Sequence, residues 1–198
     1  MNPLSQIGIL IVQTLGGLYV LVVMLRFLLQ IARADFYNPV SQFIVKATSP
    51  LLIPIRRIVP GLGGLDIACL LLALAVEFVT IYLSVLFALG PINPLPPLLW
   101  AGLGLVSLSI YIFFGCMIVM IVLSFVAPYT RHPLAMLAVQ LVRPICAPFQ
   151  RLIPPMGGID ISPIFVFLLL NIARVLVETG AAMIGLSGNL RHLVPGFF

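Results

Sequence analysis

Four long, predominantly apolar stretches divide the chain, Ser5–Gln30, Ile67–Leu89, Leu98–Val126 and Pro163–Ile184. A helix needs about 20 such residues to cross roughly 30 Å of hydrocarbon, so each stretch predicts a spanning helix. The third has length to spare for tilt or an early start. The second and third are joined by Gly90–Pro97, which is uncharged and rich in proline and predicts a tight turn between antiparallel helices. The other two connections are longer and carry their own pattern. Val40, Phe43, Ile44 and Ala47 recur at i, i+3, i+4 and i+7, with Ser41, Gln42 and Lys46 on the other side. Such a segment is too short and polar to span and suits a helix lying in the membrane interface. Pro50 and Pro54, and later Pro144 and Pro148, are expected to interrupt these segments, because proline lacks the N–H a helix needs.

The same pattern occurs twice. Over Asn38–Ile67 a shift of 94 positions, without a gap, finds the same residue at Pro39, Val45, Pro50, Pro54, Arg57, Pro60, Gly63, Gly64, Asp66 and Ile67. The amphipathic stripe shifts to Leu134, Leu137, Ala138 and Leu141. The chain therefore reads as a first unit over 1–90, a proline-rich turn over 91–97 and a second unit over 98–198. Units of two spans each enter and leave on the same side, so the copies must be parallel, related by an axis along the membrane normal. The implied fold class is an all-α membrane protein with four transmembrane helices, each copy built as helix, interfacial segment, helix.

Composition sharpens this picture. Of all residues 62% are hydrophobic and 8% charged, with a mean hydropathy of +1.26. A soluble domain carries roughly 25% charged residues, so lipid is this chain's main solvent. The formal net charge of +5 is a membrane-surface signal, with anionic headgroups as partners and no nucleic acid. Arg33, Lys46, Arg56 and Arg57 lie in the first long loop, with Arg26 just before it, and Arg131, Arg143 and Arg151 lie in the second. The first residues and the Gly90–Pro97 turn have no Lys or Arg, and the tail has only Arg191. The positive-inside rule then places both long loops in the cytoplasm and both termini outside. Ala32-Arg33-Ala34 resembles a signal-peptidase site, but the apolar run before it is long and has no basic residue in front, which predicts an uncleaved span.

Catalytic and metal chemistry find little support. Cys69, Cys116 and Cys146 form no paired motif, and Cys69 and Cys116 sit in apolar runs, where a thiol behaves as a small hydrophobe. His132 and His192 have no companion at ligand spacing, so neither metal nor cofactor is expected. No metalloprotease motif or glycine-rich phosphate loop is present, and no histidine lies in a span to activate Ser107, Ser109 or Ser124. The chain reads as a non-enzyme. Trp100 suits an interfacial aromatic belt.

Two constellations remain. Arg57 and Asp66, like Arg151 and Asp160, stand nine residues apart around a double glycine, Gly63-Gly64 or Gly157-Gly158. Each aspartate is placed to cap the following spanning helix and pair with its arginine. The alternative is a site for headgroups or a partner centred on the arginines. The second constellation is intramembrane. Glu77, Thr80 and Ser84 shift by 94 to Asn171, Arg174 and Glu178, the same helical face in both copies. Ionised groups at that depth cost several kcal/mol unless paired. A polar seam is therefore expected, in which Glu77 pairs with Arg174 and Glu178 supports it. Either the seam glues the helices together or Glu77 and Glu178 form a cation or proton path.

The doubled motif resembles the YggT family of bacterial membrane proteins. It reads Asn38-Pro39, Ser49-Pro50, Pro54-x-x-Arg57-x-x-Pro60 and Gly63-Gly64-x-Asp66, then His132-Pro133, Arg143-Pro144, Pro148-x-x-Arg151-x-x-Pro154 and Gly157-Gly158-x-Asp160. The resemblance covers essentially the whole chain and implies residence in the bacterial inner membrane. It also implies a supporting role in ionic or osmotic homeostasis, with potassium and osmotic tolerance the links known for the family. A different class implied by related proteins is a scaffold or assembly factor for a membrane complex, cytochrome maturation or division, which would bring a membrane-protein partner or a second copy.

Overall fold

The computed structural model describes residues 2–59, 61, 64–126, 132–152, 160–186 and 188–197, less the side chains of Phe125 and Asn189. The motif residues Pro60, Gly63, Pro154, Gly157 and Gly158, and the loop cation Arg131, lie outside the described residues. The described chain is helical: α1 (Pro3–Ile31), α2 (Pro39–Ile58), α3 (Ile67–Leu89), α4 (Leu95–Val126), α5 (Pro133–Leu152), α6 (Ser162–Met183) and the single turn α7 (Gly188–Arg191). Four of these, α1, α3, α4 and α6, are long and apolar enough to cross a membrane.

The helix starts are set locally. Asn2 and Asn38 accept bonds from the backbone N–H of Leu4 and Val40, with Pro3 and Pro39 as first helical residues. A proline there forfeits an N–H that would have had no helical partner. At the turn after α3, Gly90 takes φ +88, a conformation other residues resist, and Asn93 accepts from Leu95 N–H to open α4.

Contrary to expectation, α2 and α5 run unbroken through their internal prolines. In α2 the carbonyls that lose a donor belong to Lys46 and Pro50, both exposed residues, where headgroup water can serve. The preceding turn is braced from the side. Thr48 and Ser49 hydroxyls donate to the Ile44 and Val45 carbonyls at 2.7 and 2.6 Å. The buried register also differs from the apolar stripe. Ser41, Ile44, Thr48 and Leu52 face inward, while Phe43 is 65% exposed. Ser41 turns in because its hydroxyl reaches the Asp35 carbonyl at 2.9 Å. The 94-residue shift carries this inner face to Ala135, Ala138, Val142 and Cys146, all buried.

The two copies meet through their interfacial helices. Asn38 Nδ2 donates to the Pro133 carbonyl, and the Asp35 N–H donates to Gln140 Oε1, both at 2.9 Å. Both α2 and α5 therefore lie at one end of the bundle, as parallel copies require. Packing order decides which spanning helices can share a site: α3 packs on α1, α2 and α4, whereas α6 packs on α4 and α5. One core joins α1, α2, α3 and α4 to Leu137 and Leu141 of α5, another joins α4, α5 and α6, and a third gathers Ile81 and Val85 of α3, Ala101 of α4 and Ala181 of α6 around the tail.

Candidate functional site: a buried carboxylate under a folded-back tail

The inner face of α3 is as predicted: Glu77, Thr80 and Ser84 are all buried. Thr80 donates to the Val76 carbonyl and Ser84 to the Thr80 carbonyl, each at 2.8 Å, so both hydroxyls are engaged within their own helix. Glu77 is different. It is 0% exposed, and neither carboxylate oxygen has a hydrogen-bond partner among the described residues. Two glycines make room for this face. A Cβ at Gly16 of α1 would stand 2.2 Å from Thr80 Oγ1, and one at Gly104 of α4 would stand 2.6 Å from Glu77 Oε1.

The other half of the expected seam is elsewhere. Arg174 Nε lies 3.3 Å from Glu178 Oε1 on its own helix, and Asn171 is exposed, donating to the Phe167 carbonyl. Glu77 and Arg174 do not pair, which corrects the seam. The reason is the packing order: α6 is docked on α4 and α5, and a shared register does not make two helices neighbours.

The chain after α6 completes the site, although it carries no part of the repeated motif. Leu186, Leu193 and Val194 are buried against α3 and α4, a fate that the apolar residues beyond the last span could have suggested. Gln13 Nε2 of α1 donates to the His192 carbonyl at 2.8 Å, and Ser107 of α4 donates to the Gly196 carbonyl at 2.7 Å. Gly196, at φ +89, approaches α4 so closely that a Cβ would meet the Gly104 carbonyl at 3.1 Å. Trp100 is buried, its indole N–H donating to the Ile184 carbonyl. A cleft of about 1000 Å³ remains between α1, α4 and the tail, with Gln13, Thr14, Tyr111, Arg191 and His192 on its walls.

At the motif corner the partner of Asp66 is Arg56, not Arg57. Asp66 also caps α3, accepting from Cys69 N–H at 3.2 Å. In the second copy Gln150 replaces Arg56 and donates to Asp160 Oδ2 at 2.7 Å, while Asp160 Oδ1 accepts from Ser162 N–H at 2.8 Å. Desolvation works to raise the Asp160 carboxyl, but the Ser162 and Gln150 donors outweigh it and leave the group below the usual carboxylate range. Arg57 and Arg151 are exposed. Gly64 takes φ +86, so the corner does need a glycine there. Cys69 and Cys146 are buried, and no cluster of three metal-ligating side chains occurs among the described residues.

A family model described as CCB3/YggT matches residues 5–87 and again 99–181, the same 94-residue displacement. The chain belongs to the YggT family. Each match is one YggT repeat, with α1 to α3 in the first and α4 to α6 in the second. Full-length relatives are similar. The chain is 46% identical to an uncharacterised Pseudomonas aeruginosa protein, PA0392, over 96% of this chain and 98% of that one. It is 37% identical to YggT of Escherichia coli K12, itself uncharacterised, over 95% of each. A Vibrio alginolyticus protein encoded in the proC 3' region is 39% identical over 89% of this chain and 94% of that one. No solved structure matches the chain.

Proposed function

We propose that this YggT-family membrane protein is a non-enzymatic ion-handling protein in which Glu77 carries a proton. The observation that supports the reading is a carboxyl group, fully buried in a spanning helix, with no hydrogen-bond donor or ion-pair partner among the described residues. A charge there costs several kcal/mol, and binding a proton or cation removes that cost. A proton fits the surroundings best. A dry metal cation needs a shell of oxygens, whereas Glu77 faces Gly104, and the Thr80 and Ser84 hydroxyls are committed to their own helix. The tail supplies a cover, because Val194 closes on Gly104 and also lines the open cleft. On this reading the protein sits in the bacterial inner membrane, as the family resemblance implies, with α2 and α5 at the cytoplasmic face and the termini periplasmic, the orientation that the loop charges favour.

The test is proton flux into proteoliposomes loaded with a pH-sensitive dye. Glu77→Gln should abolish flux while insertion and thermal stability stay near those of the wild type. Equal flux in both proteins, or none in the wild type, refutes the reading.

A scaffold role is the second reading. It is favoured by the platform that α2 and α5 form at one end, with Tyr37, Phe43, Leu51 and Leu134 exposed on it. Under that reading Arg57→Glu with Arg151→Glu loses a co-purifying membrane protein or second copy, and Glu77→Gln is silent.

A further inference from the structure

A second unusual charge lies at the α2 end of the first repeat. Arg26 of α1 is 6% exposed and has no carboxylate partner among the described residues. Its Nη1 donates to Thr48 Oγ1 at 2.5 Å and to Ser49 Oγ and the Val45 carbonyl at 3.2 Å, all in α2. Beside it opens a cavity of about 610 Å³ between α1 and α2, walled by Arg26, Gln30, Gln42, Lys46 and Arg56 with Phe36. Three cations share one small volume. Among the described residues Arg56 is the one of the three with an ion-pair partner, Asp66. The cavity lies at membrane-surface depth, since Arg26 is five residues, about 7.5 Å, before the end of a helix about 43 Å long.

The second repeat is an internal control for what the fold itself requires. At the 94-residue shift Arg26 becomes Met120, Lys46 becomes Gln140, Arg56 becomes Gln150 and Gln42 becomes Met136. Yet α5 keeps the two prolines, the length and the buried register of α2. An interfacial helix of this kind therefore forms without any of the cations, and their gathering in the first copy calls for another cause. Crowded guanidinium and ammonium groups repel one another unless an anion sits among them, and Arg with Lys suits the oxygens of a phosphate. We propose that this cavity binds a phosphate-bearing anion, of the chemistry shared by a phospholipid headgroup and a free phosphate ester. Arg26 is the fixed donor, held by α2, and Lys46 and Arg56 close on the anion from the exposed side.

The test uses the purified full chain in detergent and native mass spectrometry. Dioleoyl-phosphatidylglycerol and dioleoyl-phosphatidylcholine are titrated separately, then inorganic phosphate and glycerol 3-phosphate. The wild type should retain one molecule of phosphatidylglycerol saturably and prefer it to phosphatidylcholine, if the source is a lipid. If the source is a free anion, glycerol 3-phosphate or phosphate should saturate instead, with no preference between the lipids. Either way Lys46→Gln, an exposed position, should weaken retention by about fivefold or more, and the triple change Arg26→Met, Lys46→Gln, Arg56→Gln should abolish it. Arg57→Gln, beside the cavity in sequence but not in its wall, should bind as the wild type does. The proposal is overturned if no probe saturates, or if Lys46→Gln and the folded triple variant bind as the wild type does. Should the triple variant fail to fold, the Lys46→Gln comparison with Arg57→Gln decides alone.

Discussion

Arg56 donates through its guanidinium to the Asp66 carboxylate, tying the end of α2 to the start of α3 across the described edge of the motif corner. The second copy makes the same bridge from Gln150 to Asp160 with a neutral donor. The bridge, rather than its charge, is thus what the corner has in common. Arg56 is 43% exposed and Asp66 5%, so the two ends of the bond are unequal. Arg56→Gln should change stability by no more than about 1 kcal/mol, because a half-exposed ion pair contributes little and the amide can take its place. Asp66→Ala removes the cap on Cys69 as well and strands the arginine, and should cost about 1–3 kcal/mol. Thermal unfolding of the two variants in detergent checks the order, and equal losses would contradict it.

Gly16 of α1 packs directly on Thr80 of α3. Side-chain room there is absent, with Thr80 Oγ1 at 2.2 Å from the site of a Cβ. Gly16→Ala should push the helices apart and destabilise the bundle by about 1–3 kcal/mol. Thr80→Ala removes the nearest two atoms and should recover part of that loss in the double variant, a coupling a double-mutant cycle reads directly. Additive losses would mean that the helices are not in contact at this pair.

Spans, the parallel repeat and the buried inner face of α3 were all legible in the sequence, because each is set by periodicity along one helix. What escaped depends on which helices touch. Glu77 and Arg174 share a register, but register carries no information about whether α3 or α4 stands beside α6. Arg57 is identical in both copies, whereas the donors to the aspartates are Arg56 and Gln150, whose chemistry differs between copies. Phe43 belongs to the apolar stripe of an interfacial helix and is exposed, where lipid can cover it, while the protein-facing side of α2 is Ser41, Ile44, Thr48 and Leu52. Ser41 looked exposed, yet the Asp35 carbonyl satisfies it inside.

The placement of α2 beside α5 makes a topological prediction. Single cysteines at Lys46 and Arg143, in a background with Cys69, Cys116 and Cys146 replaced, should react with an impermeant thiol reagent from the same face. Loop charge assigns that face to the cytoplasm. A cysteine at Asn93, in the turn between α3 and α4, should react from the other. Labelling of Lys46→Cys and Arg143→Cys from opposite sides would break the parallel arrangement and the site with it.

The tail closes over the face of α4 that Glu77 meets. Leu193 and Val194 are buried, and Gly196 leans on α4 beside Gly104, the residue that faces Glu77. The bonds fastening this segment run to Gln13 and Ser107, so loss of both donors should loosen it without touching the carboxyl. In the cysteine-free background, Glu77→Cys should resist a small polar thiol reagent in the full chain. It should become reactive when the chain is cut before Leu193, and partly so with Gln13→Ala and Ser107→Ala together. The same two substitutions should raise proton flux in liposomes if the tail limits access to Glu77, because they open the cover and leave the carrier in place. A Glu77→Cys thiol that reacts equally with and without the tail would show that the tail covers nothing. Unchanged flux together with increased reactivity would separate the cover from the proton role and count against the latter.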